Sequence, residues 1–295
     1  MDVSKLKWIY LSLLSLIWGS SFILIDFAMD GLTPIQVGSL RVVVTGIFIL
    51  SAGANKIKLI ERKQWKWIFW TALAGSLFPM FLFAIAQEQL DSSVASMLNS
   101  LVPLHTIVFG VLFFGAVVQK RQIFGVLIGL VGALVLVFAG AEFNPNQNYW
   151  YSIFVLLATI GYGLNVNMIK RYLNDLNAIA IVAGNFVIIT IPGLIILWYT
   201  GFFETILENE AMQIALGYIA VLSLFGSAIA KVIYSRLVQI SSPVFASSVT
   251  YTMPVVAIFW GVIFGEQLSL YQILGGVIIL LGVYLVNNTK KKKKA

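Results

Sequence analysis

The chain has 295 residues, of which 60% are hydrophobic and only 11% are charged, and its formal net charge is +7. Soluble domains carry about 25% charged residues, and a soluble protein of this length could not hide so much apolar surface. We therefore predict that lipid surrounds most of the chain. The absence of cysteine excludes disulfides, thiolate metal sites and cysteine nucleophiles.

Ten apolar segments follow one another, separated by charged and turn residues, and each has roughly the 20 residues that a bilayer-spanning helix needs. They cover residues 7–27, 34–54, 67–87, 93–115, 122–140, 150–170, 177–199, 211–236, 243–264 and 269–287. Continuous apolar runs of this length favour helices over the alternating strands of a barrel. The sequence predicts an all-α integral membrane protein of ten transmembrane helices, with no room for a separate catalytic domain.

Basic residues lie in every second connection, which indicates how the chain is oriented. They are Lys5, Lys7, Lys56, Lys58, Arg62, Lys63, Lys66, Lys120, Arg121, Lys170, Arg171, Lys231, Arg236 and Lys290 to Lys294. Because positive charge is retained on the cytoplasmic side, both termini are predicted to be cytoplasmic, in the cell membrane of a prokaryote. The terminal lysine run is then predicted to anchor the chain to anionic lipid headgroups rather than to bind nucleic acid.

The two halves of the chain resemble each other at fixed offsets. An offset of 151 places Pro103 on Pro254, and an offset of 144 places Arg41 on Asn185. The same two offsets superimpose further glycine, serine and aromatic positions: Gly75-Ser76 on Gly226-Ser227, Gly110 on Gly261, Gly125 on Gly276 and Trp18-Gly19 on Tyr162-Gly163. We predict two five-helix repeats, residues 1–142 and residues 143–295 with the basic tail. An odd number of spans inverts the second repeat, a design typical of secondary transporters.

Several motifs resemble the EamA family of the drug/metabolite transporter superfamily. They are Trp18-Gly19-Ser20-Ser21, Pro34 followed by Arg41, the central prolines of spans four and nine, and the stretch from Pro254 to Leu268. The first half departs from the pattern, because residues 115–119 have no acid where Glu266 stands in the second half. That departure favours an outer capping role for Glu266 over a chemical one.

The resemblance implies a ten-helix bundle that moves metabolites, often amino acids, across the membrane. It also implies that spans one, three, four, six, eight and nine surround a central cavity. The other spans would lie outside as support, with the fifth and tenth often at subunit contacts.

Spans four and nine each carry a stripe of small and polar residues at helical spacing. The stripes are Ser92, Ser96, Asn99, Pro103, Thr106 and Gly110, and Pro243, Ser247, Thr250, Pro254, Ala257 and Gly261. Small residues also allow close helix packing in membranes, so the stripes alone fit either a pathway or a packing interface. Asn99 at mid-depth favours a cavity, because an amide facing lipid is costly.

The candidate cavity residues combine aromatic walls with a few polar groups, which suits an amphipathic solute. They are Trp18, Ser21, Phe78, Asn99, Tyr162, Asn165, Thr250 and Tyr251. A core-packing role fits Phe78 equally well. Pro103 and Pro254 interrupt their helices at equivalent points and are candidate hinges.

Three titratable residues at membrane depth have alternative interpretations. His105, the single histidine, either couples transport to protons or is a neutral packed side chain. Arg41 is predicted to form a structural ion pair with Asp26, Asp30 or Glu88, which we favour over the alternative that it binds the substrate. Lys231 is predicted to extend its ammonium group to the cytoplasmic surface.

Taken together, these features predict a secondary transporter, an alternating-access exporter of small metabolites such as amino acids. The alternatives are a passive channel, or a carrier of nucleotide sugars or drug-like cations. We expect no catalytic residues, no metal and no cofactor, and partners limited to the small-molecule solute and membrane lipid, without nucleic acid. Gly125 and Gly129 form a close-packing motif that suggests a homodimer.

Overall fold

The computed structural model of the chain describes residues 3–116, 119–144 and 147–287. The main helices of these ranges are α1 (Val3–Met29), α2 (Pro34–Gly53), α3 (Trp65–Gln87), α4 (Ser92–Phe114), α5 (Lys120–Phe143), α6 (Ser152–Tyr172), α7 (Ala178–Tyr199), α8 (Glu210–Ile240), α9 (Pro243–Ile263) and α10 (Leu270–Asn287). Short helical turns at Ala54–Leu59, Tyr149–Tyr151 and Phe202–Thr205 lie between them. The described ranges contain no strands.

Each predicted apolar segment is helical, and nine of the helices in the described ranges are long and apolar enough to cross a membrane. The apolar part of α10, Leu270–Gly282, is shorter. The chain is therefore an all-helical, multi-pass membrane protein. The basic run Lys290 to Lys294 lies outside the described residues.

Helix starts follow the sequence signals because local side chains satisfy the first backbone N–H groups. At α2 the Thr33 hydroxyl accepts a hydrogen bond from the Gln36 N–H at 3.3 Å, and the Gln36 side chain accepts one from the Thr33 N–H at 2.9 Å. Pro34 occupies the first turn, where its missing N–H costs nothing. This capping box ends the preceding turn and fixes the start of the second span.

Helices pack in reciprocal pairs across the two halves. α1 packs against α8 and α9, and α6 packs against α3 and α4, while α2 packs against α7. The helices α5 and α10 pack mainly against each other. This arrangement leaves α1, α3, α4, α6, α8 and α9 in mutual contact at the centre of the bundle.

Glycines allow α5 and α10 to approach at backbone distance. A methyl group on Gly132 would lie 2.6 Å from the Ile279 nitrogen, and one on Gly275 would lie 2.7 Å from the Leu136 nitrogen. A methyl group on Gly282 would lie 2.5 Å from the Gly129 nitrogen and 2.6 Å from the Gly125 oxygen. The close-packing motif is therefore occupied within one chain, and a homodimer stays a prediction.

Irregular backbone occurs at matching places in the two halves. α3 contains a π-helical stretch at Leu73–Leu77 and α8 contains one at Leu222–Ile229. α4 breaks between its helical parts Ser92–Asn99 and Val102–Phe114, and α9 breaks between Pro243–Ser247 and Met253–Ile263. Such interruptions expose backbone groups that regular helices keep paired.

The two broken helices touch at their breaks. The Ser100 hydroxyl, in the break of α4, donates a hydrogen bond of 2.9 Å to the carbonyl oxygen of Thr250 in the break of α9. Pro103 and Pro254 each occupy the first turn of the helical part that follows. The prolines therefore begin new helical parts rather than kink continuous ones, and a hinge role for them stays a prediction.

Glu266 caps the start of α4 from the other half of the chain. Its two carboxylate oxygens accept hydrogen bonds from the Ser92 N–H at 2.8 Å and the Ser93 N–H at 3.1 Å. A carboxylate is favourable there because the N-terminus of a helix carries partial positive charge. Gly261 leaves room for it, since a methyl group on that residue would lie 2.3 Å from the carboxylate. This geometry gives Glu266 the capping role that the sequence favours.

Candidate functional site

A cavity of about 90 Å³ lies between the central helices, where the irregular parts of α3, α4, α8 and α9 meet. Typical ligand pockets measure roughly 300–1,000 Å³, so the cavity suits a small solute or must widen for a larger one. α2 and α7 also reach it through Arg41, Val182 and Asn185. The cavity therefore uses eight helices rather than the six that the resemblance implied.

Most residues that line the cavity come in pairs, one from each half of the chain. At an offset of 144 the lining pairs are Trp18 with Tyr162, Ser21 with Asn165, Ile25 with Ile169 and Arg41 with Asn185. At an offset of 151 they are Gly75 with Gly226, Met80 with Lys231, Phe83 with Tyr234, Asn99 with Thr250 and Val102 with Met253. Both halves of the chain therefore contribute lining residues at these two sequence offsets.

The structure brings six of the eight predicted cavity residues together. Trp18, Ser21, Asn99, Tyr162, Asn165 and Thr250 all line the cavity. Phe78 does not, because its side chain is 55% exposed on the outer surface of the bundle. Tyr251 is half-buried against the apolar core and is not among the lining residues.

His105 also lies away from the cavity. Its ring stacks near Phe109, with 6.2 Å between the ring centroids, and its Nδ1 has no hydrogen-bond partner among the described residues. The imidazole therefore cannot contact a solute held in the cavity. A role in proton coupling stays a prediction.

The sequence interpretation of Arg41 and Lys231 was wrong. Both line the cavity, and Arg41 is only 8% exposed. Within the described ranges Arg41 forms no ion pair, and its Nε atom has no hydrogen-bond partner. The acids predicted as its partners, Asp26, Asp30 and Glu88, line a different pocket.

Lys231 does not extend to the membrane surface but turns inward. Its Nζ atom donates a hydrogen bond of 2.5 Å to the carbonyl oxygen of Gly75 in the π-helical stretch of α3. That carbonyl cannot receive the usual helical hydrogen bond from position 79, because Pro79 has no N–H. A tertiary contact thus replaces the missing helical one.

The equivalent carbonyl of the second half is occupied in a similar way. The Trp18 Nε1 atom donates a hydrogen bond of 2.8 Å to the carbonyl oxygen of Gly226, in the π-helical stretch of α8. This contact fixes the indole at mid-depth, where interfacial anchoring would not place it. Both π-helical stretches therefore position a side chain at the cavity wall.

Two aromatic pairs line the cavity. Trp18 packs edge-on against Tyr234, with 5.1 Å between the ring centroids. The equivalent pair, Tyr162 and Phe83, stacks at 6.1 Å. Aromatic rings in such pairs present large apolar faces of fixed orientation.

Two polar atoms at the wall lack partners among the described residues. The Oδ1 atoms of Asn99 and Asn165, which both line the cavity, are buried without a hydrogen bond. The Asn99 amide nitrogen makes only a 3.9 Å contact with the Met253 sulfur. Buried polar atoms are usually paired, so these groups are available to a bound solute or water.

The lining residues can bind and orient a small solute. No group of three or more His, Cys, Asp or Glu residues in the described part of the chain could hold a metal ion. The lining residues contain no carboxylate.

The chain is similar to known proteins over most of its length. The sequence model of the EamA-like transporter family matches residues 6–138 and again residues 149–288. An inner membrane transporter of Escherichia coli, YedA, is 29% identical, covering 92% of this chain and 88% of its own. A transporter of Archaeoglobus fulgidus is 25% identical, covering 95% of this chain and 98% of its own.

Two further matches extend the comparison. A protein of Chlamydia muridarum named as an S-adenosylmethionine/S-adenosylhomocysteine transporter is 24% identical over 92% of this chain and 88% of its own. A crystal structure shares the fold with a TM-score of 0.66 at 16% identity, covering 96% of both chains. The resemblance noted in the sequence is confirmed, and the family and relatives indicate membrane transport. The chain belongs to the EamA-like transporter family.

Proposed function

We propose that this protein is an alternating-access carrier of small organic metabolites, built from ten transmembrane helices in two inverted halves, residues 1–142 and 143–295. Both termini would lie in the cytoplasm of a prokaryotic cell. The observation that carries the proposal is the pairing of lining residues at offsets of 144 and 151. The two successive family matches, one in each half, support the duplication.

Alternating access follows from how the two halves meet. The broken helices α4 and α9 touch at their breaks through the Ser100–Thr250 hydrogen bond, beside the cavity. In carriers with inverted repeats, exchange of conformation between the two halves opens the central site to one side and then the other. The two breaks are the natural places for such a movement because backbone there is already irregular.

The substrate class suggested by the resemblance is amino acids, and the suggested direction is export. The Chlamydia muridarum relative adds a nucleoside-bearing solute as a second candidate, which the aromatic walls would favour. A cavity of about 90 Å³ would have to widen considerably for a solute of that size. Drug-like cations are disfavoured because Arg41 and Lys231 line the cavity and no carboxylate does.

Counterflow in proteoliposomes separates a carrier from a passive channel. The purified protein would be reconstituted, and uptake measured for a labelled solute that stabilises it against heat. We expect uptake to saturate and to accelerate when the unlabelled solute is present on the opposite side. Uptake that rises linearly with concentration and shows no trans-stimulation would instead establish a channel.

A further inference from the structure

The cavity is lined by two cationic side chains and by no acidic one. Arg41 comes from α2 in the first half and Lys231 comes from α8 in the second. Asp26, Asp30 and Glu88 line a separate pocket and do not neutralise them.

Arg41 is the more informative of the two. An arginine side chain is always protonated in proteins, and this one is 8% exposed without an ion-pair or hydrogen-bond partner among the described residues. An unpaired buried charge destabilises a fold, so its presence needs a compensating role. Tyr162 lines the same cavity.

Neither cation is explained by the duplication of the chain. The residue equivalent to Arg41 is Asn185, and the residue equivalent to Lys231 is Met80. All four residues line the cavity, so each cation faces the solute space from a position whose counterpart is neutral. The positive charge is therefore a property of the site and not a repeated structural element.

We propose that the cavity binds organic anions, with a carboxylate of the solute held between Arg41 and Lys231. The planar guanidinium can donate two parallel hydrogen bonds to a carboxylate, and Lys231 has N–H groups beyond the one directed at Gly75. The apolar part of the solute would lie against the aromatic pairs Trp18–Tyr234 and Tyr162–Phe83. This inference rests on the proposed function for treating the cavity as the solute site.

Matched sets of solutes test which sign of solute charge the cavity prefers. For three carbon skeletons, the purified protein would be heated with the acid, the amino acid and the amine: propionate, alanine and ethylamine; 4-methylvalerate, leucine and isoamylamine; 3-phenylpropionate, phenylalanine and phenethylamine. We expect at least one acid to raise the apparent melting temperature, its amino acid to do so less, and its amine not at all. A solute raises the apparent melting temperature because it binds the folded state.

The variants Arg41→Gln and Lys231→Gln identify the residues responsible. We expect Arg41→Gln to weaken binding of the stabilising acid at least tenfold and to leave the unliganded protein equally or more stable, because a buried unpaired charge is removed. A purely structural arginine would instead lower the stability of the unliganded protein. Arg236→Gln removes an exposed cation of α8 and should leave binding unchanged.

Three results would overturn the proposal: stabilisation by an amine at least equal to that by its acid, no stabilisation by any acid at millimolar concentration, or acid binding that Arg41→Gln does not weaken. These results concern binding alone. A protein that binds acids but shows neither counterflow nor linear flux would refute the carrier and leave the anion site standing.

Discussion

Asn165→Leu is expected to weaken solute binding while leaving the protein folded, and Asn99→Leu is expected to do the same. Both side chains line the cavity, both Oδ1 atoms are buried without a partner, and leucine has nearly the same size. Removing an unpaired buried amide costs the folded protein little, whereas losing a hydrogen bond to the solute costs roughly 1–3 kcal/mol, or about a tenfold to hundredfold loss of affinity. Thermal stabilisation by the solute and uptake in proteoliposomes measure the two effects.

Asn167→Leu is the matched control on the same helix. The Asn167 amide donates hydrogen bonds of 2.8 Å to the Thr106 and Gly163 carbonyl oxygens, and the residue does not line the cavity. This variant should lose stability and keep its affinity, the opposite pattern to Asn165→Leu. If Asn165→Leu bound and transported solute normally, Asn165 would not belong to the site.

Adding a single methyl group at Gly132 or Gly275 is expected to separate α5 from α10 and to destabilise the protein. The new carbon of Gly132→Ala would lie 2.6 Å from a backbone nitrogen and that of Gly275→Ala 2.7 Å from another, and backbone cannot move aside as a flexible side chain would. Overpacking of this kind costs roughly 1–3 kcal/mol. The yield of monodisperse protein and its melting temperature in detergent should both fall.

Gly217→Ala provides a control of the same chemistry in α8. A methyl group there would meet no atom within 4 Å. The variant should be unchanged or stabilised by roughly 0.5–1 kcal/mol, because alanine favours helix over glycine. Equal destabilisation by Gly132→Ala and Gly217→Ala would show that the close contact between α5 and α10 is not the cause.

The helices were predictable from sequence because each is bounded by charges, prolines and capping residues. The capping box at Thr33 and Gln36 is one such signal, and Pro34 is another. The depth of a residue within its span also predicted the cavity. Trp18, Asn99 and Asn165 lie too far from the helix ends to face lipid or its interface, and all three line the cavity. Polar side chains are energetically unfavourable in lipid, so a polar residue at mid-depth is expected to face a cavity or another helix.

The errors at Phe78 and Lys231 share a physical origin in irregular backbone. A π-helical stretch inserts an extra residue into a turn and rotates the following face, which helical periodicity alone does not predict. Phe78 directly follows the stretch Leu73–Leu77 and points outward, and Lys231 follows the stretch Leu222–Ile229 and points inward. The repeat offset could have found Lys231, since it places this lysine on Met80 of the cavity wall.

Arg41 was misplaced for a different reason. A cation at membrane depth was assumed to need an acid of the same chain, but the predicted acids line another pocket. The packing of α2 against α3, α7 and α8 brings this residue to the centre of the bundle. Long-range packing of that kind leaves no trace in local sequence.

Single-cysteine labelling at Ile25 and Ile169 tests the inverted, alternating-access carrier most directly. The chain has no cysteine of its own, and these two residues are an equivalent pair lining the cavity. Ile25 lies near the end of α1 that the charge distribution places outside, and Ile169 near the end of α6 that it places in the cytoplasm. Each variant would be treated with an impermeant maleimide from either side of the membrane.

We predict that Ile25→Cys is labelled only from outside and Ile169→Cys only from inside. A solute that speeds labelling of one should slow labelling of the other, since the two faces open in turn. Labelling of both positions from the same side would contradict the inverted halves. If the solute speeded labelling of Ile25→Cys from outside and of Ile169→Cys from inside at the same time, the result would contradict alternating access.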